Sequence, residues 1–356
     1  MENLNSENKV NKMTRKSKVT IQDIADALGI SRNTASKALN GVENIPAVTR
    51  DKVIKKAVEL KYKQFSYMET ASEKQGNIAL LTCNLPNSSH FGSLLISGLE
   101  KEISNQGYTL SIYFVRENDI NSMTLPGNFE PSNVAGIFCI EMFSKEYSKM
   151  ITDLCIPTIF IDCAAHMMYP ELKADLVLME NEHSTYCVTR KLINHGYESF
   201  GFVGDYNHCK SFNERWTGFN KALAEAGIAV DPAHSIVAPD RNFFIEENWM
   251  EQQLDALREC PSVFICANDF IAISVIKSLK NKGIKVPEDV AVCGFDDASE
   301  SRVVEPHLTT VHIYSSQMGI ISAEMLLSRI KDNTMPYRVT HVATDIVYRD
   351  STPVLN

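Results

Sequence analysis

No apolar run in this 356-residue chain approaches the roughly 20 residues needed to cross a bilayer, so no membrane span is expected. The N-terminus is polar and basic and shows no apolar segment of the signal-peptide kind, which implies a cytoplasmic protein. No cysteines stand at CxxC spacing. The nine present are an odd number, as expected for free thiols in a reducing compartment. A Gly-rich phosphate loop, HExxH and GxSxG are all missing. The histidines are scattered and never share metal-ligand spacing with the cysteines, so neither a cofactor nor an enzyme is expected.

What is present begins with size and charge. A chain of this length exceeds one ordinary core, and two or three domains are expected. A hydrophobic share of 44% and a charged share of 22% place it among soluble globular proteins. The net charge of −9 conceals an asymmetry. Residues 1–64 hold 13 Lys/Arg against 7 Asp/Glu, and the remainder holds 22 against 37. A basic N-terminal module on an acidic body points to a nucleic-acid partner. Lys9, Lys12, Arg15, Lys16 and Lys18 suit either phosphate contacts or a solvated leader.

Within that module, Val19 to Gly41 reads VTIQDIADALGISRNTASKALNG. Thr20 is a candidate N-cap, with Asp23 as the acidic partner in the first turn. Ile21, Ile24, Ala25 and Leu28 recur at helical spacing. Gly29 supplies a tight turn, and Ser31 caps a second helix that stops at Asn40-Gly41. Its expected buried face is Thr34, Ala35, Ala38 and Leu39, which leaves Arg32, Asn33, Ser36 and Lys37 outward. A third helix opens at Thr49 and packs through Ile54, Ala57, Val58 and Leu60 before Tyr62. Two short helices around a glycine turn make the helix-turn-helix arrangement.

From Asn77 the texture changes to strands alternating with amphipathic helices. Candidate strands are 77–83, 109–115, 135–140, 156–161, 200–204, 262–266 and 290–294. Candidate helices fall near 91–106, 145–154, 182–195, 211–226, 245–259, 268–282 and 315–331. Gly107, Gly196, Gly227 and Gly283 close four of these helices. Such alternation predicts an α/β fold with parallel sheets in two units, helices on both faces. Ligands of such sheets bind at the carboxyl ends of strands, in the cleft between two lobes. The polar residues at strand ends are Asp162, Ser211, Arg215, Asn268, Asp296 and Asp297. Asp296 and Asp297 could instead cap a turn, and Arg215 could form an inter-lobe ion pair. Cys209 is read as a space-filling residue, with no neighbouring base to activate it.

The opening V-T-I-x-D-I-A and closing A-L-N-G resemble the DNA-binding segment of the LacI/GalR repressor family. Further on, GFVGDYNHCKSFNERWTGFNKAL, CANDFIAISVIKSLKNKGIKVPEDVAVCGFDD and PHLTTVHIYSSQMGIISAEMLL resemble its later segments in order. The likeness runs from residue 19 to about 350. It implies a three-helix helix-turn-helix module plus a two-lobed, doubly wound periplasmic-binding-protein-like domain that binds an effector and dimerises. The expected divisions are a disordered leader at 1–17, the DNA-binding domain at 18–62, a hinge linker at 63–76 and the effector domain at 77–356. Lobe one takes about 77–162 and 313–342, and lobe two about 163–312 and 343–356, with crossings near 162, 312 and 342. Lobe contacts of the homodimer would involve the helices at 91–106 and 315–331.

The DNA-contacting set expected from the exposed helix face and the resemblance is Thr20, Ser31, Arg32, Asn33, Thr34, Ser36, Lys37, Asn40 and Tyr62. Arg215, Asn268 and Asp296 match effector-contacting positions, as does Ser211. Asp162, His90 and Phe91 are further candidates, and Phe243 sits where the family often offers an aromatic face. The linker KQFSYMETASEKQG departs from the family's hinge pattern: Gln64 replaces its proline, and Ala71 aligns with its groove-wedging leucine. Met68 or Tyr67 is then the expected minor-groove wedge. The whole reads as a cytoplasmic transcriptional repressor with a near-palindromic operator, controlled by a sugar or related metabolite. Control chiefly by a partner protein, and an exported sugar-binding protein, are the alternatives.

Overall fold

The computed structural model describes residues 19–40, 45–60, 62, 75–84, 90–239 and 247–353. It divides into two compact units, Met1–Lys74 and Gln75–Asn356. The linker expectations for Tyr67 and Met68, and the leader at 1–17, lie outside the described residues.

In the first unit, helices α1 (Ile21–Leu28), α2 (Arg32–Leu39) and α3 (Ala47–Glu59) enclose one small core. Thr20 and Asp23 form a reciprocal capping box, and Gly29 ends α1 at φ 64°, a left-handed turn that suits glycine. Ser31 caps α2 by accepting the Thr34 N–H at 3.1 Å. Ile24, Ala25, Ala35, Ala38, Val53 and Ala57 are buried together. Helix α3 begins two residues earlier than expected, directly after Pro46, and Val53 rather than Ile54 is fully buried on its face.

The second unit opens with β1 (Gly76–Thr82), α4 (His90–Asn105), β2 (Tyr108–Phe114), α5 (Glu117–Ser122), β3 (Gly136–Ile140) and α6 (Lys145–Thr152). It continues with β4 (Thr158–Ile161), α7 (Tyr169–Leu172), β5 (Asp175–Met179), α8 (Glu182–Asn194), β6 (Phe200–Val203) and α9 (Lys210–Glu225). Then come α10 (Glu247–Ala256), β7 (Val263–Cys266), α11 (Asp269–Asn281), β8 (Ala291–Cys293) and β9 (Thr310–Ile313). Helix α12 (Ser315–Lys331), β10 (Val339–Val342) and β11 (Thr344–Val347) complete it.

Lobe one is a six-stranded parallel sheet in the order β10-β5-β4-β3-β1-β2. Its central strands are apolar without a break because both faces are covered. Side chains alternate between two cores: Ile78, Leu80, Phe138 and Ile159 on one face, Ala79, Leu81, Cys139 and Phe160 on the other. Lobe two is the parallel sheet β6-β7-β8 with its own core around Phe202, Phe219 and Phe264. Strands β9 and β11 pair antiparallel as a ribbon between the lobes.

This topology corrects the expected first crossing at 162. Strand β5, not foreseen, still belongs to lobe one, so the chain leaves that lobe only after Met179. The reason is chemical: Asp175, which opens β5, is buried against Arg329 (2.8 Å) and Arg338 (3.1 Å). Helix α12 and β10 return to lobe one, and β11 leads back out. Helices α4 and α12, expected at the dimer contact, pack on each other within the chain. Their backbones meet at Gly98 and Gly319, where any added Cβ would lie 2.2 Å from a carbonyl oxygen of the other helix.

Candidate functional site

In the first unit, Arg32, Asn33, Lys37 and Asn40 are exposed on or just after α2, and Ser36 is half-buried. Thr20, Ser31 and Thr34 engage the helix starts, with Ser31 Oγ and Thr34 Oγ1 2.8 Å apart. Tyr62 is half-buried against the three-helix core. Two of these residues suit base edges: a guanidinium matches guanine and an amide matches adenine.

In the second unit, a cavity of about 430 Å³ lies between the lobes. Asp162, Ser211, Arg215, Asn268 and Asp296 all line it. Each arrives from a strand's carboxyl end or from the helix start that follows. Asp162 follows β4, Asp296 lies just past β8, Asn268 caps α11 after β7, and Ser211 and Arg215 open α9 after β6. Phe243 lies outside the described residues, as do the side chains of His90 and Phe91. Asp297 does not reach the cavity. It is buried against Arg302 (2.6 Å), His312 (3.0 Å) and Arg349; burial raises its carboxyl, but the hydrogen bonds and charge of the two arginines, with the His312 hydrogen bond, hold it below the ordinary range.

Arg215 is 3% exposed, a burial that a guanidinium tolerates only with partners. Its Nε donates to Asn181 Oδ1 at 2.9 Å, one terminal nitrogen donates to the Ala267 carbonyl, and Asp296 stands 3.5 Å away. The guanidinium lies 3.6 Å from the Phe295 ring centre. Asn181 is itself held, its amide donating to Glu214 Oε2 at 2.9 Å. Burial pushes the Asp296 carboxyl up to about 6 despite Arg215. Asp162 spans the cleft, accepting the Cys163 N–H at 2.7 Å and the Ser211 N–H of lobe two at 3.2 Å. The Ser211 hydroxyl is directed at Met179 Sδ, 3.1 Å away.

The sequence reading missed Glu141, Phe143, His208 and Phe212, which also line the cavity. Glu141 follows β3 just as Asp162 follows β4, so the strand-end rule that found one could have found the other. Glu141, Asp162 and Asp296 share positive φ angles of 55°, 64° and 115°. Side-chain-bearing residues adopt such angles at a cost of about 1–3 kcal/mol each, and such strain concentrates at functional sites. Cys209 also lines the cavity, and burial with Asp162 nearby raises its thiol well above the ordinary range, which leaves it unreactive.

A helix-turn-helix unit coupled in one chain to a two-lobed α/β unit defines a DNA-binding transcriptional regulator. Residues 20–64 match the bacterial regulatory proteins of the lacI family, and residues 189–352 match the periplasmic binding protein-like domain. The chain thus carries a lacI-family helix-turn-helix domain and a periplasmic binding protein-like domain. It is 27% identical over 342 residues to the HTH-type transcriptional repressor PurR of Photobacterium profundum, covering 95% of this chain and 99% of that protein. Among solved structures it resembles a transcriptional regulator CelR–cellobiose complex (TM-score 0.68, 21% identity, 94% of this chain and 99% of that one). It also resembles the lac repressor dimer bound to operator and the anti-inducer ONPF (TM-score 0.64, 20% identity, 94% and 99%).

Proposed function

We propose that this protein is a homodimeric repressor whose grip on a near-palindromic operator is set by a small polar molecule held between its lobes. The observation that carries this reading is the convergence of Asp162, Ser211, Arg215, Asn268 and Asp296 on one cavity. Those groups come from four separate strand ends in two lobes, so a molecule bound there favours one lobe arrangement over others. Two structural neighbours are named with a small molecule, cellobiose in one and ONPF in the other, which supports a small-molecule effector. Helix α2 enters the major groove, with Arg32 and Asn33 reading bases and Lys37 supplying a point charge.

Two measurements test this. Thermal shift of the full chain against sugars and nucleobases should find a stabilising ligand, and Arg215→Ala should lose that shift. An undiminished shift in Arg215→Ala, Asn268→Ala and Asp296→Ala alike would sink the cavity assignment. For DNA, Asn33→Ala should cost about 1–3 kcal/mol at one base pair of the selected operator and little on random DNA. Equal loss on both would remove Asn33 from base readout.

A further inference from the structure

The charges lining the cavity are unequal. Glu141, Asp162 and Asp296 face it, whereas Arg215 is the one Lys or Arg among its described lining residues. That guanidinium is already engaged by Asp296, Asn181, the Ala267 carbonyl and the Phe295 ring. Lys210, five residues earlier in α9, extends instead to the Tyr169 ring at 5.5 Å. Among the described residues, the hydrogen-bond donors of Glu141 and Asp162, both on the lobe-one wall, are neutral, with His208 near Glu141 and the shared Arg215 near Asp162. Asn84 bonds Glu141, and the backbone of Cys163 and Ser211 bonds Asp162. Neutral donors satisfy a carboxylate's lone pairs without cancelling its charge. Burial holds both carboxyls above the ordinary range, a cost that a neighbouring cation would relieve.

Aromatic rings line the same cavity as these acids. Phe143 of lobe one meets the His208 ring at 4.8 Å between centroids, and His208 meets Phe212 at 5.5 Å. Ring faces attract cations, and they do so more strongly where water is excluded. Carboxylates with adjoining aromatic faces are the chemistry of ammonium recognition.

We infer that the molecule held in this cavity is an organic cation: a small polar metabolite whose protonated amine sits by Glu141 and Asp162 against Phe143 and Phe212. Its remaining polar groups face Asn268 and the Arg215–Asp296 pair. This rests on the cavity being the effector site and narrows what occupies it. A neutral sugar adds no counter-charge to the two lobe-one carboxyls, and a phosphorylated one is repelled by them. His208 also lines this wall, and the test is run at one pH of about 7.5.

The test is thermal shift of the full chain with matched pairs: glucosamine against glucose, galactosamine against galactose, and putrescine against 1,4-butanediol. The amine of at least one pair should raise Tm where its neutral twin does not. Glu141→Gln should weaken that amine's apparent affinity about tenfold or more. If that variant melts too early to read, the wild-type pairs decide alone. A neutral twin that stabilises as well as its amine overturns the cation assignment and leaves the cavity reading intact. Silence from every amine also overturns it. Silence from the wider sugars and nucleobases as well would take the effector-site reading with it.

Discussion

At the scale of single residues, the cavity pairs one deeply buried cation with a carboxyl that ionises reluctantly. The Asp296 carboxyl is raised by burial to about 6 from an ordinary 3.8, with Arg215 offsetting only part of the effect. Between those values the folded protein holds a proton that the unfolded chain releases. The resulting stability is fully present below pH 3.8 and is lost as pH rises through about 6. Asp296→Asn cannot titrate and lacks this dependence. Urea unfolding at pH 5 and pH 7.5 should show the wild type losing about 1 kcal/mol more than the variant over that interval. A parallel change in both proteins would show that Asp296 ionises normally. The cavity residues were legible because strand-end polar groups stand out in an apolar texture. Glu141, next after β3, was open to the same strand-end rule, but its neighbours Asn84 and His208 are brought near only by the folded chain.

At the scale of elements, lobe one is clamped by a helix pair rather than by its sheet alone. Gly98 of α4 and Gly319 of α12 let two backbones touch, with Ser316 and Leu95 carbonyls where a methyl would need to be. Gly98→Ala must push the helices apart, and overpacking of this kind costs about 1–3 kcal/mol. Its thermal midpoint should fall below that of the wild type. A midpoint equal to or above it would mean that the pair separates freely. Long elements such as α9 and α12 were readable from periodicity because a repeated apolar face imposes its own pattern. The four-residue strands β9, β10 and β11 were not. In β10 no residue is fully buried, so no apolar run announces it. Strand β5 was hidden by its leading Asp175, whose partners Arg329 and Arg338 come more than 150 residues later.

At the scale of the molecule, basic charge gathers in the DNA-binding unit and acidic charge in the rest. The two activities should therefore respond differently to salt. Raising salt from about 50 to about 200 mM should weaken operator binding on the order of a thousandfold, if six or more phosphates are neutralised per dimer. Ligand binding in the cavity should change far less, because the buried charges that line it are screened less than exposed ones. Fluorescence anisotropy on operator DNA and calorimetry with the ligand, over one salt series, would measure both. Equal salt slopes would contradict the division of labour.

The late arrival of β10 also has a consequence for how the protein is born. The outer edge of β5 in lobe one is closed by a strand that lies about 160 residues downstream of it. At translation speeds of roughly 5–20 residues per second, β5 emerges many seconds before its neighbour exists. Throughout that interval a nascent chain presents an open parallel edge to its surroundings, although its helix-turn-helix has long been synthesised. Ribosome pausing between residues 180 and 338 would prolong that exposure and favour strand exchange between chains on one polysome.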